Sequence, residues 1–124
     1  MTKRVLSVGQ CVPDQAALDR YLKSAFSVQV TTAETAAETL HLLQQQSFDL
    51  ILVNRKLDID YSDGLDIIRA MKAEPEWREL PVMLITNYPE HQANAVAIGA
   101  EPGFGKQELG LSSTTARLQP FLGA

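Results

Sequence analysis

The chain has a single cysteine, Cys11, in 124 residues. That excludes an internal disulfide and a multi-cysteine zinc site. It has no apolar run approaching the roughly 20 residues that a membrane-crossing helix requires. MTKR at its start leads straight into a β-rich stretch and not into a signal-peptide core. Basic residues are outnumbered, 11 against 15 acidic, for a net charge of −4. They are also scattered: Lys3 and Arg4, Arg55 and Lys56, Lys72, Lys106. A nucleic-acid surface needs a basic stripe or patch, so neither nucleic acid nor membrane is an expected partner, and a cytoplasmic location is expected. P-loop, GxGxxG, GxSxG, HExxH and CxxC motifs are missing, and no His–carboxylate or Cys–His pairing is visible. An enzyme is not expected.

What is present fits one globular unit. Apolar residues at 45% and charged residues at 21% lie near globular averages, and the length suits one domain, residues 1–124. The stretch Phe48–Leu65 organises the rest. Leu50, Ile51, Leu52 and Val53 run without a polar break, as suits a strand covered on both faces. Polarity returns at Asn54, an acidic loop follows (Asp58, Asp60, Asp63), and Leu65, Ile67, Ile68 and Met71 take up helical spacing. The loop is not an EF-hand: counted from Asp58, the sixth position is Asp63 where glycine is needed, and the twelfth is Arg69. Asp63 is expected to cap the helix instead.

In chain order, strands are expected at about 4–9, 26–30, 49–53, 81–86 and 102–106. Helices are expected to start at Pro13 and Asp14, with Asp14 as N-cap, and after a Thr31–Glu34 capping box. In the second helix, Ala33, Ala37, Leu40 and Leu43 should be the buried face. Further helices are expected over 64–73, 89–98 and 111–122, the last with Pro120 near its end. Five β-α repeats with right-handed crossovers give an α/β doubly wound parallel sheet. The flavodoxin-like order 2-1-3-4-5 with five helices is expected, and the site belongs where loops 9–13, 54–63 and 86–89 meet at the switch point. Lys106 arrives beside them.

In sequence order, FDLILVN, DGLDIIRAMK, ELPVMLIT and AIGAEPGFGK resemble the third strand, third helix, fourth strand and lysine-bearing fifth strand of response-regulator receiver domains, the CheY-like superfamily. The resemblance covers the whole chain. It implies two-component or phosphorelay signal transduction. In that family an aspartate ending strand 3 accepts a phosphoryl group, an acidic pair after strand 1 holds Mg²⁺, and a Thr or Ser and a Lys contact the phosphate. Carried over, the acceptor position is Asn54. The acidic-pair positions are Gly9 and Gln10, or Gln10 and Cys11. The phosphate-contact residues Thr86 and Lys106 remain, and the switch-aromatic position is Gly103. The loop after Asn54 is about two residues longer than the family's.

Three carboxylates and an ammonium call for a divalent cation, whereas one ammonium alone does not. The expectation is therefore a degenerate pseudo-receiver with Mg²⁺ binding and phosphotransfer lost and no cofactor. Lys106 is expected to bond Asn54 Oδ1 or loop carbonyls, and Thr86 to satisfy loop backbone. Cys11 is expected to be inert, and His41 and His91 solvated. Asp58 and Asp60 are expected to sit on a loop too loose for a displaced acceptor, and Gly103 and Gly105 to ease a tight backbone path. No output domain is expected beyond Ala124, so action on a protein partner in trans is expected, a sensor kinase or output protein. The resemblance places this contact, or a homodimer, on the helix 4–strand 5–helix 5 face, with Tyr88, His91, Gln92, Phe104, Leu111, Arg117 and Phe121 as contact candidates. Two alternatives are phosphorylation by an unconventional route and a small flavodoxin-like ligand-binding domain or enzyme.

Overall fold

The structure, a computed structural model, describes residues 2–123. Among them, five strands form one parallel sheet: β1 (Lys3–Val8), β2 (Val28–Ala33), β3 (Leu50–Asn54), β4 (Val82–Ile85) and β5 (Glu101–Phe104). Their order is β2-β1-β3-β4-β5, as the repeating β-α pattern predicts. The helices are α1 (Val12–Ala25), α2 (Ala36–Gln45), α3 (Gly64–Ala73), α4 (Pro89–Ala97) and α5 (Ser112–Leu122).

Alternation along the strands builds two cores, one on each face of the sheet. Leu50 and Leu52 join Val5, Met83, Ile85 and Phe104 beneath Leu18 and Leu22 of α1 and Leu118 and Leu122 of α5. Ile51 and Val53 face the other way, onto Ile67, Ile68 and Met71 of α3, Leu43 of α2 and Ala95 of α4. The continuous apolar run of β3 follows from this placement, because both of its faces are covered.

Register brings the functional loops together. Val8 pairs with Val53 and with Ala33, while Asn54 pairs with Ile85 and Ile85 with Phe104. The ends of β1, β3, β4 and β5 therefore lie side by side. Asp63 caps α3 by accepting the Leu65 N–H at 2.9 Å. A Cβ on Gly64 would lie 2.1 Å from the Asn54 carbonyl oxygen, so a glycine is what lets α3 start directly beside the end of β3.

Three local expectations are corrected. Asp14 is not the N-cap of α1. That position is Cys11, and Asp14 is the third helical residue. The second helix begins later than the Thr31–Glu34 pattern implies: Thr35 is its N-cap, accepting the Glu38 N–H at 3.0 Å, while Glu38 reaches back to the Glu34 N–H. Pairing of β2 with β1 as far as Ala33 holds Thr31 and Thr32 extended, and this overrides the local cap signal. Ala33 is consequently a buried strand residue, Ala37 is exposed, and α2 buries Thr39 and Leu43.

Candidate functional site

Gly9 follows β1 with φ of +78°, and a Cβ there would lie 2.6 Å from Leu57 Cγ. Glycine thus lets the loop after β3 fold over the end of β1. That loop is tightly bonded, which corrects the expectation that it is loose. The Asp58 N–H donates to Gly9 O at 3.0 Å, and Leu57 N–H to Ser62 O at 2.9 Å. Lys56 and Asp63 form an antiparallel bridge, and Leu57 is fully buried beneath. Asp58 and Asp60 nonetheless project into solvent. The Ser62 hydroxyl and N–H both donate to Asp60 and hold its carboxyl below the ordinary range.

Asn54 is half-buried at the end of β3. Its Nδ2 donates to Lys56 O at 2.7 Å and to Gly9 O at 3.4 Å. Gln10 Nε2, on the neighbouring loop, is buried without a hydrogen-bond partner among the described residues. Lys106 does not bond Asn54, contrary to expectation. Its Nζ donates to Asp14 Oδ2 at 2.7 Å, across 92 residues of sequence. Lys106 first, and then the Cys11 thiol, hold the Asp14 carboxyl below its usual range. Sequence reasoning missed Asp14 as a site residue because its partner is so distant; its place in the first turn of α1 was the one available signal.

Thr86 is buried, and its Oγ1 accepts the Tyr88 N–H at 3.3 Å. Gly103 is also buried, and a Cβ on it would lie 2.2 Å from Leu84 O. Its N–H donates to Gln92 Oε1 at 2.9 Å, and Gln92 Nε2 donates to Leu84 O at 2.8 Å. One side chain of α4 thereby joins β4 to β5. Arg117 of α5 donates to the Gly103 carbonyl.

These bonds redraw the expected contact surface. Gln92 and Arg117 are engaged inside the fold, Phe104 is only 1% exposed, and Phe121 packs against the α1–α5 core. His91 is half-buried, edge-on to Tyr88 at 5.7 Å, and so is not freely solvated. Tyr88 and Leu111 remain exposed, and Val96, missed in the sequence, joins them at 44%. Because α4 turns Ala95 inward, Val96 faces out. A groove of about 620 Å³ lies between α4 and α5, with Pro89, Ala93, Val96 and Ala97 on its α4 wall.

A second cavity, about 340 Å³, opens at the end of β3. Arg55, Lys56, Lys106, Asn54, Thr86 and Asn87 are among its lining residues, and no carboxylate among the described residues lines it. Mg²⁺ takes hard oxygen donors, carboxylates foremost. At the end of β3 the Asn54 amide turns its N–H donors to carbonyl oxygens, Lys106 lines the same cavity, and the carboxylate of Asp14 is already ion-paired. No cluster of three or more His, Cys, Asp or Glu suited to a metal occurs among the described residues. This donor set does not fit the ion.

No helix among the described residues is long and apolar enough to cross a membrane. Over 81 residues the chain is 30% identical to the alginate biosynthesis transcriptional regulatory protein AlgB of Pseudomonas putida, which spans 65% of this chain but only 18% of that protein. Among solved structures, chemotaxis response regulator CheY4 of Vibrio cholerae superposes with a TM-score of 0.74 at 21% identity, covering 98% of this chain and 100% of that one. A putative response regulator from Chloroflexus aurantiacus gives 0.80 at 18% identity, covering all of both chains. These structural likenesses share the sheet order and helix placement described above. The family model for the response regulator receiver domain matches residues 11–107, a span running from the N-cap of α1 to just past Lys106, and the chain therefore belongs to the response regulator receiver domain family.

Proposed function

We propose that this receiver domain signals without phosphorylation, as a protein-interaction module and not an enzyme, with Asn54 in the place of the phosphoacceptor and without Mg²⁺. The observation that carries this reading is the orientation of Asn54. Its amide nitrogen donates to the Lys56 and Gly9 carbonyls at the end of β3. An amide oxygen is a poor nucleophile, and an amide N–H₂ turned to the β1 loop repels a cation where one would have to bind. The lysine that would meet an incoming phosphoryl group is drawn to Asp14.

The partner surface in this reading is the exposed part of the α4–β5–α5 face, centred on Tyr88, Val96 and Leu111. A sensor kinase or an output protein fits this role, with a second copy of the chain as the competing occupant. Exposed Tyr88 and Val96 line the groove, and apolar side chains so placed suit docking better than solvation.

The test has two arms. Treatment with acetyl phosphate and Mg²⁺, followed by intact mass and amide NMR shifts, should leave the protein unchanged; a phosphoryl adduct would refute the reading. Val96→Glu should weaken association with the native partner, captured from the source cell, or self-association seen by light scattering. Unchanged association in both formats removes the α4–α5 face from the proposal.

A further inference from the structure

We infer that β2 is a dimer interface: it pairs antiparallel with β2 of a second copy of the chain, about a twofold axis at Val30, and joins two five-stranded sheets into one. The inference goes beyond the α4–α5 docking face, because it uses the opposite edge of the sheet.

The two edges of the sheet are built differently. At one edge β5 is blunted: it has four residues, Pro102 removes a donor, and its register against β4 is interrupted. None of these devices protects β2 at the other edge. Its six residues, VQVTTA, carry no charge, no proline and no glycine, and they pair with β1 one for one without a bulge. Val28, Val30, Thr31 and Thr32 are β-branched, as suits a firmly extended strand.

The ladder to β1 fixes which backbone groups are free. The Lys3 N–H donates to Ser27 O, and the Gly9 N–H to Ala33 O. Backbone groups of successive residues in a parallel ladder turn to opposite sides. Ser27, Gln29, Thr31 and Ala33 therefore face β1, and Val28, Val30 and Thr32 face outward. Among the described residues, no backbone bond from a loop or turn reaches these three. They present a row of N–H and C=O groups that a further strand satisfies together.

This row is its own complement. With the axis at Val30, Val28 lies opposite Thr32 of the second copy and Val30 opposite Val30, which gives about six backbone bonds between the copies. Gln29 falls opposite Thr31 on the other face, and Glu34, just past the strand, falls opposite Phe26. No like charges meet along the pairing. Val28 and Val30 are half-buried against the core beneath α1 and α5, and pairing covers more of both. A twofold pairing closes with two copies, and the blunted β5 edge leaves no second strand from which to extend the sheet.

The experiment is sedimentation velocity of the full chain over a concentration series, with amide hydrogen exchange by NMR at both ends of the series. A monomer–dimer equilibrium is expected. In the dimer the amides of Val28, Val30 and Thr32 should slow, while those of Gln29 and Thr31, already turned to β1, should change little. Gln29→Lys with Thr31→Lys sets like charges opposite each other and should weaken the dimer at least about fivefold. Gln29→Lys with Thr31→Glu sets opposite charges there and should keep it; it puts as many charges on β2 as the first variant and so controls for folding. Val96→Glu, at the far edge, should leave this dimer intact whatever it does to partner capture. A chain that stays monomeric throughout overturns the inference and leaves the edge at most to a strand of another protein. An equal loss of dimer in both double variants also overturns it. So does a dimer lost in Val96→Glu alone, which belongs to the α4–α5 face.

Discussion

Gln92 holds Gly103: its Oε1 accepts the Gly103 N–H at 2.9 Å, while its Nε2 donates to Leu84 O at 2.8 Å. Truncation leaves a buried N–H and a buried carbonyl short of partners. Gln92→Ala should lower stability by about 2 kcal/mol, read as a lower urea midpoint with an unchanged slope. Gln92→Glu keeps the acceptor for Gly103 but sets a carboxylate oxygen against the Leu84 carbonyl, so at neutral pH it should cost at least as much as Gln92→Ala.

Gly103 tolerates no side chain in this arrangement. A Cβ would meet the Leu84 carbonyl oxygen at 2.2 Å, and backbone cannot step aside cheaply. Gly103→Ala should cost about 2 kcal/mol. Gly103→Tyr should be at least as damaging, with amide shifts spreading through β4 and β5. A tyrosine accommodated at full stability would show that β5 moves more freely than these contacts imply.

Asp14 and Lys106 give a pH signature. The lysine depresses the Asp14 carboxyl below its ordinary value of 3.8 in the folded state. A depressed acid contributes stability above the unfolded-state value and loses it as pH falls through the folded value. Both side chains are about a third exposed, so the pair is worth at most about 1 kcal/mol. Asp14→Asn should therefore lower stability slightly at pH 7, and the difference from the parent should close as pH falls below 3.8 and through the depressed folded-state value. A gap that persists in acid points to packing as its source.

Restoring aspartate at the end of β3 should not restore phosphotransfer. Asn54→Asp sets a carboxylate against the Gly9 and Lys56 carbonyls that now accept from the amide, and should cost about 1–3 kcal/mol in stability. Without acidic partners at Gly9, Gln10 or Cys11, it should take up no phosphoryl group from acetyl phosphate and Mg²⁺. Uptake by the single variant, seen by intact mass, would show that the β1 loop supplies metal ligands after all.

The cap of α2 separates local from tertiary signals. Thr35→Ala should cost about 1 kcal/mol, whereas Thr31→Ala should cost less, because Thr31 lies within β2 and caps nothing. Thermal denaturation of the two variants checks the assignment.

This contrast also marks how far the sequence carries. The central strands, the order of the sheet and α3 from Gly64 to Ala73 are legible, because unbroken apolar runs and 3.6-residue spacing are local and strong. Thr31–Glu34 has the form of a capping box, yet the partner strand holds those residues extended, and pairing across 25 residues leaves no local mark. Asn54, Thr86 and Lys106 can be placed by spacing alone. The hydrogen bonds that decide what they do cannot: Lys106 turns to Asp14, Gln92 turns to Gly103, and nothing near any of these residues in sequence announces its partner.

The backbone of β5 is largely spoken for. Pro102 has no N–H, and both polar groups of Gly103 are engaged by side chains, Gln92 on one and Arg117 on the other. A foreign strand arriving here finds little to continue the sheet. A complex formed at this end of the molecule therefore draws chiefly on side chains, such as Tyr88, Val96 and Leu111, which makes it sensitive to single substitutions, and growth into open-ended strand-on-strand polymers is discouraged from the outset.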